Sequence, residues 1–270
     1  MFKAENFGES WINLVFPFPC EIHHCAPRMQ PDPASFSVLV HYTEPRQFKC
    51  PNDVVRESST IFDLILTNEE ELLNLPNARF ALFGGSWVKS HPDSKFYDVS
   101  FLYSNGAGIE QHLSGYRDRR QIWNCREHIT IPNRFFTSTK RPPVGIQEFN
   151  PYPYLDKTGL FESMFSIIVE NEYQENYFTE KIIDAFRTYT VPIYFGSNNI
   201  GMYFNTKGII IPESVDHMIT LINRLTVSDY WSRIYAMDEN YHRSERYWDE
   251  LGQLGRYVEE GHRLKMLKKI

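Results

Sequence analysis

The chain has 270 residues, 42% of them hydrophobic and 15% aromatic, which is enough apolar mass for the cores of two compact domains and too much for a disordered chain. Its formal net charge of −6 removes the global basic field that duplex DNA or RNA requires, so nucleic acid is not an expected partner. No run of about 18 apolar residues occurs, and the start, Met1-Phe2-Lys3-Ala4-Glu5-Asn6, lacks the apolar stretch of a secretory signal, so a soluble cytoplasmic chain without a membrane span is expected.

Short apolar runs alternate with helix-like stretches along the chain, the pattern of an α/β protein with parallel sheets. In the first third, Trp11–Phe16, Phe36–His41 and Phe62–Leu66 read as strands, the last apolar enough to be covered on both faces. Between them, Cys20-Glu21-Ile22-His23-His24-Cys25 combines thiols with imidazoles, which are zinc ligands. A structural zinc site pairs two such clusters, and the second is missing, so a loop packed against the first domain is expected and no metal. The four cysteines, Cys20, Cys25, Cys50 and Cys125, suit a reduced protein. Glu69–Leu73 predicts a short helix, and Phe80–Phe83 a further apolar run closed by Gly84-Gly85.

The texture changes at Lys89-Ser90-His91-Pro92-Asp93-Ser94, which is polar and holds a proline. The predicted domains are therefore 1–92 and 93–250, with 251–270 a C-terminal helix packing back on the first. Tyr97–Tyr103 predicts a strand, Arg117–Arg126 lies in a polar helix, and Thr130–Ser138 is a strand region weakened by Pro132. Lys140–Pro153 holds four prolines and reads as a loop. From Ser214 onward the spacing is helical, with Val215, Met218, Ile219, Ile222 and Leu225 on one side. Local cation clusters, Arg117, Arg119 and Arg120 and then Lys140 and Arg141, suit an anionic small molecule, with a solvated helix face as the alternative for the first.

The most informative stretch begins with the predicted buried strand Phe165–Val169, which ends in the polar pair Glu170-Asn171. A helix follows, with Phe178, Ile182, Ala185, Phe186 and Tyr189 on its apolar side, and then the strand Val191–Phe195 closed by Gly196. Open α/β sheets bind ligands beyond the carboxyl ends of their strands. A helix N-terminus there presents free N–H groups to an anion. Tyr177 and Lys181, four apart, are expected to share a face at that end and make a pyrophosphate site, with Glu180 accepting from ribose hydroxyls. A plain βαβ unit with a charged helix start accounts for the spacing equally well.

The pattern E-N-x5-Y-x-T-E-K, here Glu170, Asn171, Tyr177, Thr179, Glu180 and Lys181, is followed by V-P-I-Y-x-G over Val191–Gly196. Together these resemble the signature of the α1,3-fucosyltransferases, glycosyltransferase family ten. Gly115-Tyr116-Arg117-Asp118-Arg119 resembles the family segment whose arginine contacts the donor pyrophosphate, which makes Arg119 that residue. Val38–Pro45 resembles the strand and loop that present the general base, which makes Glu44 the base, with Asp63, Glu69, Glu70 and Glu71 as rivals. The likeness runs from about 36 to about 211 and is dense only at 165–200.

The resemblance implies two facing Rossmann-like domains of the GT-B type, with C-terminal helices crossing back. It implies inverting transfer of a sugar, by default fucose from GDP-fucose, to a glycan hydroxyl without a metal. The donor-binding residues carried over are Arg119, Asn171, Tyr177, Glu180 and Lys181, and the catalytic one is Glu44. No Asp-x-Asp string that would hold a divalent ion occurs. The chain is short for the family, and Glu172 and Glu175 flank the phosphate site, which leaves the donor open to a UDP-linked sugar such as xylose. A degenerate domain that only binds glycans is the reading from another class. A dinucleotide oxidoreductase is excluded, since Gly106-Ala107-Gly108 lacks the third glycine of its fingerprint.

Overall fold

A computed structural model describes residues 14–41, 50–82, 84–88, 90–104, 113–137, 147–148 and 157–267. They divide into two compact α/β units, one up to Leu82 together with the stretch from Asp249 onward, the other from Gly84 to Trp248.

The first unit is built on a four-stranded parallel sheet in the order β1 (Cys20–His24), β2 (Phe36–His41), β3 (Leu64–Thr67), β4 (Ala78–Phe80). Side chains of a strand alternate between faces, and both faces of this sheet are covered. Val38, Val40, Leu64 and Leu66 pack with Cys20, Ile22 and Phe36 against Leu254 and Val258 of the helix Glu250–Leu267. Leu39 and Ile65 point the other way, onto Val55, Phe62 and Leu72. Each such side chain contributes roughly 1.5–3 kcal/mol by leaving water. The C-terminal helix lies close because of Gly261, where an added Cβ would meet Leu64 Cδ2 at 2.8 Å and Phe36 Cζ at 3.3 Å.

Three expectations for this unit are corrected. Cys20–His24 is a strand, not a loop, pairing in register with Phe36–Val40. Its Cys20 and Ile22 supply the buried face, while His23 is buried on the opposite one with its ring edge-on to Phe62. Of Trp11–Phe16, only residues 14–16 are described, and they are not strand. Phe16 instead stacks on Phe18, whose ring lies 3.6 Å from that of His262. A helix not foreseen in the sequence, α1 (Asn52–Ser58), lies in the crossover from β2 to β3 and buries Val55. The short helix foreseen at Glu69–Leu73 is a 3-10 turn over Glu70–Leu72.

The second unit holds a five-stranded parallel sheet in the order β7 (Gln147–Glu148), β6 (Asn133–Thr137), β5 (Phe96–Tyr103), β8 (Ser163–Val169), β9 (Val191–Phe195). The chain starts at the central β5, winds outward through β6 to β7, then returns to β8 and winds the other way. The order therefore reverses between β5 and β8, the topological switch point at whose carboxyl side such sheets bind ligands. Every residue of β8 is buried, as a strand covered on both faces must be. Pro192, which has no N–H to give, sits in the outer strand β9.

The helices of this unit are α2 (Ser114–Asn124), α3 (Glu180–Arg187), α4 (Val215–Ile222), α5 (Val227–Trp231) and α6 (Ile234–Ser244); the helix Glu250–Leu267 of the first unit is α7. Ser214 caps α4, and Thr226 with Asp229 forms a capping box on α5. The sequence sets a boundary at 92; the structure divides at 83/84. Asp184 of α3 accepts Ser86 Oγ at 2.8 Å and Trp87 N at 2.8 Å, and Arg187 Nη1 donates to Ser86 Oγ at 3.0 Å. These bonds tie the segment after Gly84 to the second sheet's own helix. No helix among the described residues is long and apolar enough to cross a membrane.

Candidate functional site

The site is built where β8 ends. Glu170 is fully buried, and its N–H donates to Phe195 O at 2.8 Å, holding the strand end in register with β9. A buried carboxylate must be hydrogen-bonded. Here Thr179 supplies both bonds, from N at 3.0 Å and from Oγ1 at 2.7 Å. Thr179 is in turn the N-cap of α3, its side chain accepting from Lys181 N. The end of the strand thus fixes the start of the helix.

Lys181 Nζ then lies 3.0 Å from Thr179 Oγ1, 3.6 Å from Glu170 and 3.6 Å from Glu180. Glu180 is reached from a second side by Lys157 Nζ at 3.0 Å. Burial works against its charged form, yet Lys157 and Lys181 hold its carboxyl down at about 2. Asp184, one turn further and fully buried, is pushed up to about 6 by burial against the pull of Lys157.

On the other side stands α2. Its first turn rests against the end of β8: Gly115 N donates to Asn171 O at 3.1 Å, and a Cβ on Gly115 would lie 1.6 Å from Glu170 O, so only glycine fits. This close approach brings Arg119, one helical turn on, to the strand end. Its Nη2 donates to Val169 O and, at 2.5 Å, to Asn171 Oδ1. Arg119 is buried, and its guanidinium lies 4.7 Å over the Tyr116 ring. Arg117, by contrast, is exposed on the far side of the helix, as a solvated face requires.

The sequence-derived residues Arg119, Asn171, Glu180 and Lys181 therefore form one connected set, running from Arg119 through Asn171 and Glu170 to Lys181 and Glu180. Tyr177 is buried, but α3 begins only at Glu180, so Tyr177 precedes the cap and the shared helix face expected for Tyr177 and Lys181 does not exist. Phe178 and Tyr189 likewise lie outside the helix, whose buried residues include Ile182, Ala185 and Phe186. The Glu172 carboxylate accepts Ser114 N at 3.4 Å and Tyr173 N at 3.0 Å, at the start of α2, where a negative charge is favoured. β2 ends at His41. Glu44, Lys140, Arg141 and the Gly106-Ala107-Gly108 string lie outside the described residues.

The sequence reading missed Lys157 and Asp184. Asp184 carried a signal, an acid among the apolar residues Ile182, Ile183, Ala185 and Phe186. It also missed a latch on the loop before α3. Asn176, at φ 57°, accepts Asn199 Nδ2 at 2.7 Å, while its own N–H donates to Asn199 Oδ1 at 2.9 Å. Tyr173 ties the same loop to α2 through Asp118 at 2.6 Å. Among the described residues no cluster of three His, Cys, Asp or Glu side chains is arranged to hold a metal.

No family model matches the chain. A segment of 51 residues is 41% identical to the α-(1,3)-fucosyltransferase FucT of Helicobacter pylori, spanning 19% of this chain and 11% of that relative. A crystal structure of an α1,3-fucosyltransferase with GDP superposes with a TM-score of 0.53 at 18% identity, covering 82% of this chain and 69% of that one. A crystal structure of an α1,3-fucosyltransferase with GDP-fucose gives 0.53 at 17% identity, covering 88% and 85%. In fold the chain is similar to the α1,3-fucosyltransferases, and over that 51-residue segment its sequence is similar to FucT as well.

Proposed function

We propose that this chain is an inverting glycosyltransferase that moves fucose from GDP-fucose to a hydroxyl of a glycan acceptor. The observation that carries the reading is the meeting of two cationic side chains, Arg119 and Lys181, on the three residues 169–171 that end β8. They arrive from separate helices, at the switch point of the sheet and beside the N-terminus of α3. That is the chemistry of a pyrophosphate site. The choice of donor is supported by the similar α1,3-fucosyltransferase structures that carry GDP and GDP-fucose, and by the segment similar to FucT.

In the reaction the acceptor oxygen attacks the anomeric carbon as its proton passes to the Glu44 carboxylate. The bond from that carbon to the pyrophosphate oxygen breaks on the opposite face, and its electron pair leaves with GDP. The charge that develops on the leaving oxygen falls where Arg119 and Lys181 donate, with Asn171 bonded to Arg119, so these contacts strengthen in the transition state. Lys181 lies in the first turn of α3, adding its charge to the free N–H groups there. Glu180, ionised, accepts from ribose hydroxyls. With the pyrophosphate charge met by side chains, the reaction proceeds without a divalent metal.

Melting curves with GDP, UDP, GDP-fucose and UDP-xylose, each with and without a divalent metal, test the reading. At about a hundred times the dissociation constant, GDP and GDP-fucose should raise the midpoint by roughly 5–10 °C, with or without metal. A shift with the uracil pair alone replaces the donor, and no shift with any of the four reduces the chain to a glycan-binding domain. Replacing Glu44 by Gln should lower transfer by about 10²–10⁴-fold and leave the GDP shift unchanged.

A further inference from the structure

Glu180 of the donor site belongs to a buried ionic cluster whose other members, Lys157 and Asp184, have no part in the transfer chemistry. Lys157 precedes a 3-10 turn at Thr158–Glu162, and its side chain is 5% exposed. Its Nζ sits 3.0 Å from Glu180 Oε1, 3.7 Å from Asp184 Oδ2 and 4.1 Å from the centre of the Trp87 ring. A lysine stripped of water in this way needs its counter-charges, and a buried carboxylate needs its cation.

The two carboxylates are not equivalent. Asp184 Oδ1 is already taken by Ser86 Oγ and Trp87 N, and Oδ2 has no hydrogen-bond partner among the described residues. Burial pushes the Asp184 carboxyl up to about 6, whereas Glu180 is held down at about 2. Environments that drive two neighbouring acids apart assign them different tasks. Asp184 is a structural acceptor that ties residues 86–88 to α3. Glu180 is the one that reaches solvent, with 14% of its side chain exposed. Lysine 157 makes its closer contact with Glu180, and it reaches Oε1, the oxygen that Lys181 also approaches.

We propose that Lys157 is a positioning residue for the donor site, fixing the Glu180 carboxylate in the orientation that receives the ribose hydroxyls of the bound nucleotide. This deepens the reading of the donor site and rests on it. Lys181 faces the end of β8 and the phosphates, while Lys157 approaches Glu180 from the side of Asp184 and Trp87. The pair divides the work: one lysine serves the anion, the other holds the acid that reads the sugar of the nucleoside.

The test compares the full chain with its Lys157→Met and Lys157→Arg variants, using GDP, UDP and their 2′,3′-dideoxy analogues as probes. A hydrogen bond to an ionised group supports a preference of about tenfold or more for the ribonucleotide. The wild type should show that preference for whichever base it binds. Lys157→Met should bring the ratio close to one, and Lys157→Arg should restore it. A purely structural role would weaken both members of a pair equally and leave their ratio intact, which overturns the proposal. If Lys157→Met does not fold, the charge-balanced double variant Lys157→Met with Asp184→Asn is measured and the same collapse is expected. A wild type that binds a nucleotide but ignores its ribose hydroxyls also overturns the proposal while leaving the pyrophosphate site standing. A wild type that binds no nucleotide overturns the donor reading itself.

Discussion

The two sheets end differently at their carboxyl sides. In the first unit β2 and β3 close on a neutral network: His41 Nδ1 lies 3.0 Å from Thr67 Oγ1, and Nε2 lies 2.7 Å from Cys50 O. A backbone carbonyl can only accept, so Nε2 donates to Cys50 O, while Nδ1 pairs with the Thr67 hydroxyl. In the second unit β8 closes on charge, with Glu170, Arg119, Lys181, Glu180 and Lys157 in contact through Asn171 and Thr179. Both arrangements satisfy buried polar groups. Only the second gathers more charge than a fold needs, since replacing buried ion pairs by apolar groups is often neutral or stabilising. Equivalent strand ends of two parallel sheets thus carry an uncharged seal in one unit and a charged cluster, the proposed donor site, in the other.

The largest effect expected from breaking this asymmetry is on nucleotide affinity. Lys181→Ala and Arg119→Ala should each weaken GDP binding by about 10–100-fold, the worth of a charge-assisted hydrogen bond, and lower transfer together with it. Titration calorimetry and initial rates check this, and unchanged values in both variants would remove the donor-site assignment. Arg119→Ala should also melt earlier, because Val169 O and Asn171 lose a buried donor.

Next is a pH effect confined to the second unit. Asp184 is raised from 3.8 to about 6, so the folded chain holds its proton more tightly than the unfolded one. Its contribution to stability is complete below about pH 4 and is lost as pH rises through 6. Asp184→Asn should therefore flatten the fall in stability between pH 4 and 6, by up to about 3 kcal/mol. Denaturant titrations of both proteins across that range measure it; parallel curves would mean that Asp184 is ionised throughout.

In the first unit, His41→Ala should cost about 1–3 kcal/mol by stranding the Thr67 hydroxyl and Cys50 carbonyl. The GDP-induced melting shift should survive, and its loss would show that the neutral network also serves the ligand. The smallest effect is expected at the half-exposed pair of Arg79 with Glu260, 3.2 Å apart, where Arg79→Ala should change stability by about 0.5 kcal/mol or less.

Periodicity made the core strands legible. Phe36–His41 and Val191–Phe195 have the predicted bounds, and Phe165–Val169 is only two residues short of β8, because continuous apolar runs between polar ends are unambiguous. The strand Cys20–His24 was not legible, since its edge position lets Glu21 and His24 stand where an inner strand would be apolar. Helix α3 was placed but started too early. Tyr177 and Phe178 look helical by spacing, yet Thr179 is committed to Glu170 and makes the cap. Among the site residues, Arg119, Asn171, Glu180 and Lys181 came from a motif, and their contact with one another from the strand-to-helix geometry that the motif implies. Lys157 left no trace in the sequence, because its partners lie 23 and 27 positions away and no local pattern connects them.

The most direct measurement is a crystal structure of the chain with GDP-fucose. The account predicts the pyrophosphate at the end of β8, within hydrogen-bond distance of Arg119 and Lys181, and the ribose on Glu180. A nucleotide bound anywhere else, with Arg119 and Lys181 still occupied by Asn171, Glu170 and Glu180 alone, would contradict it.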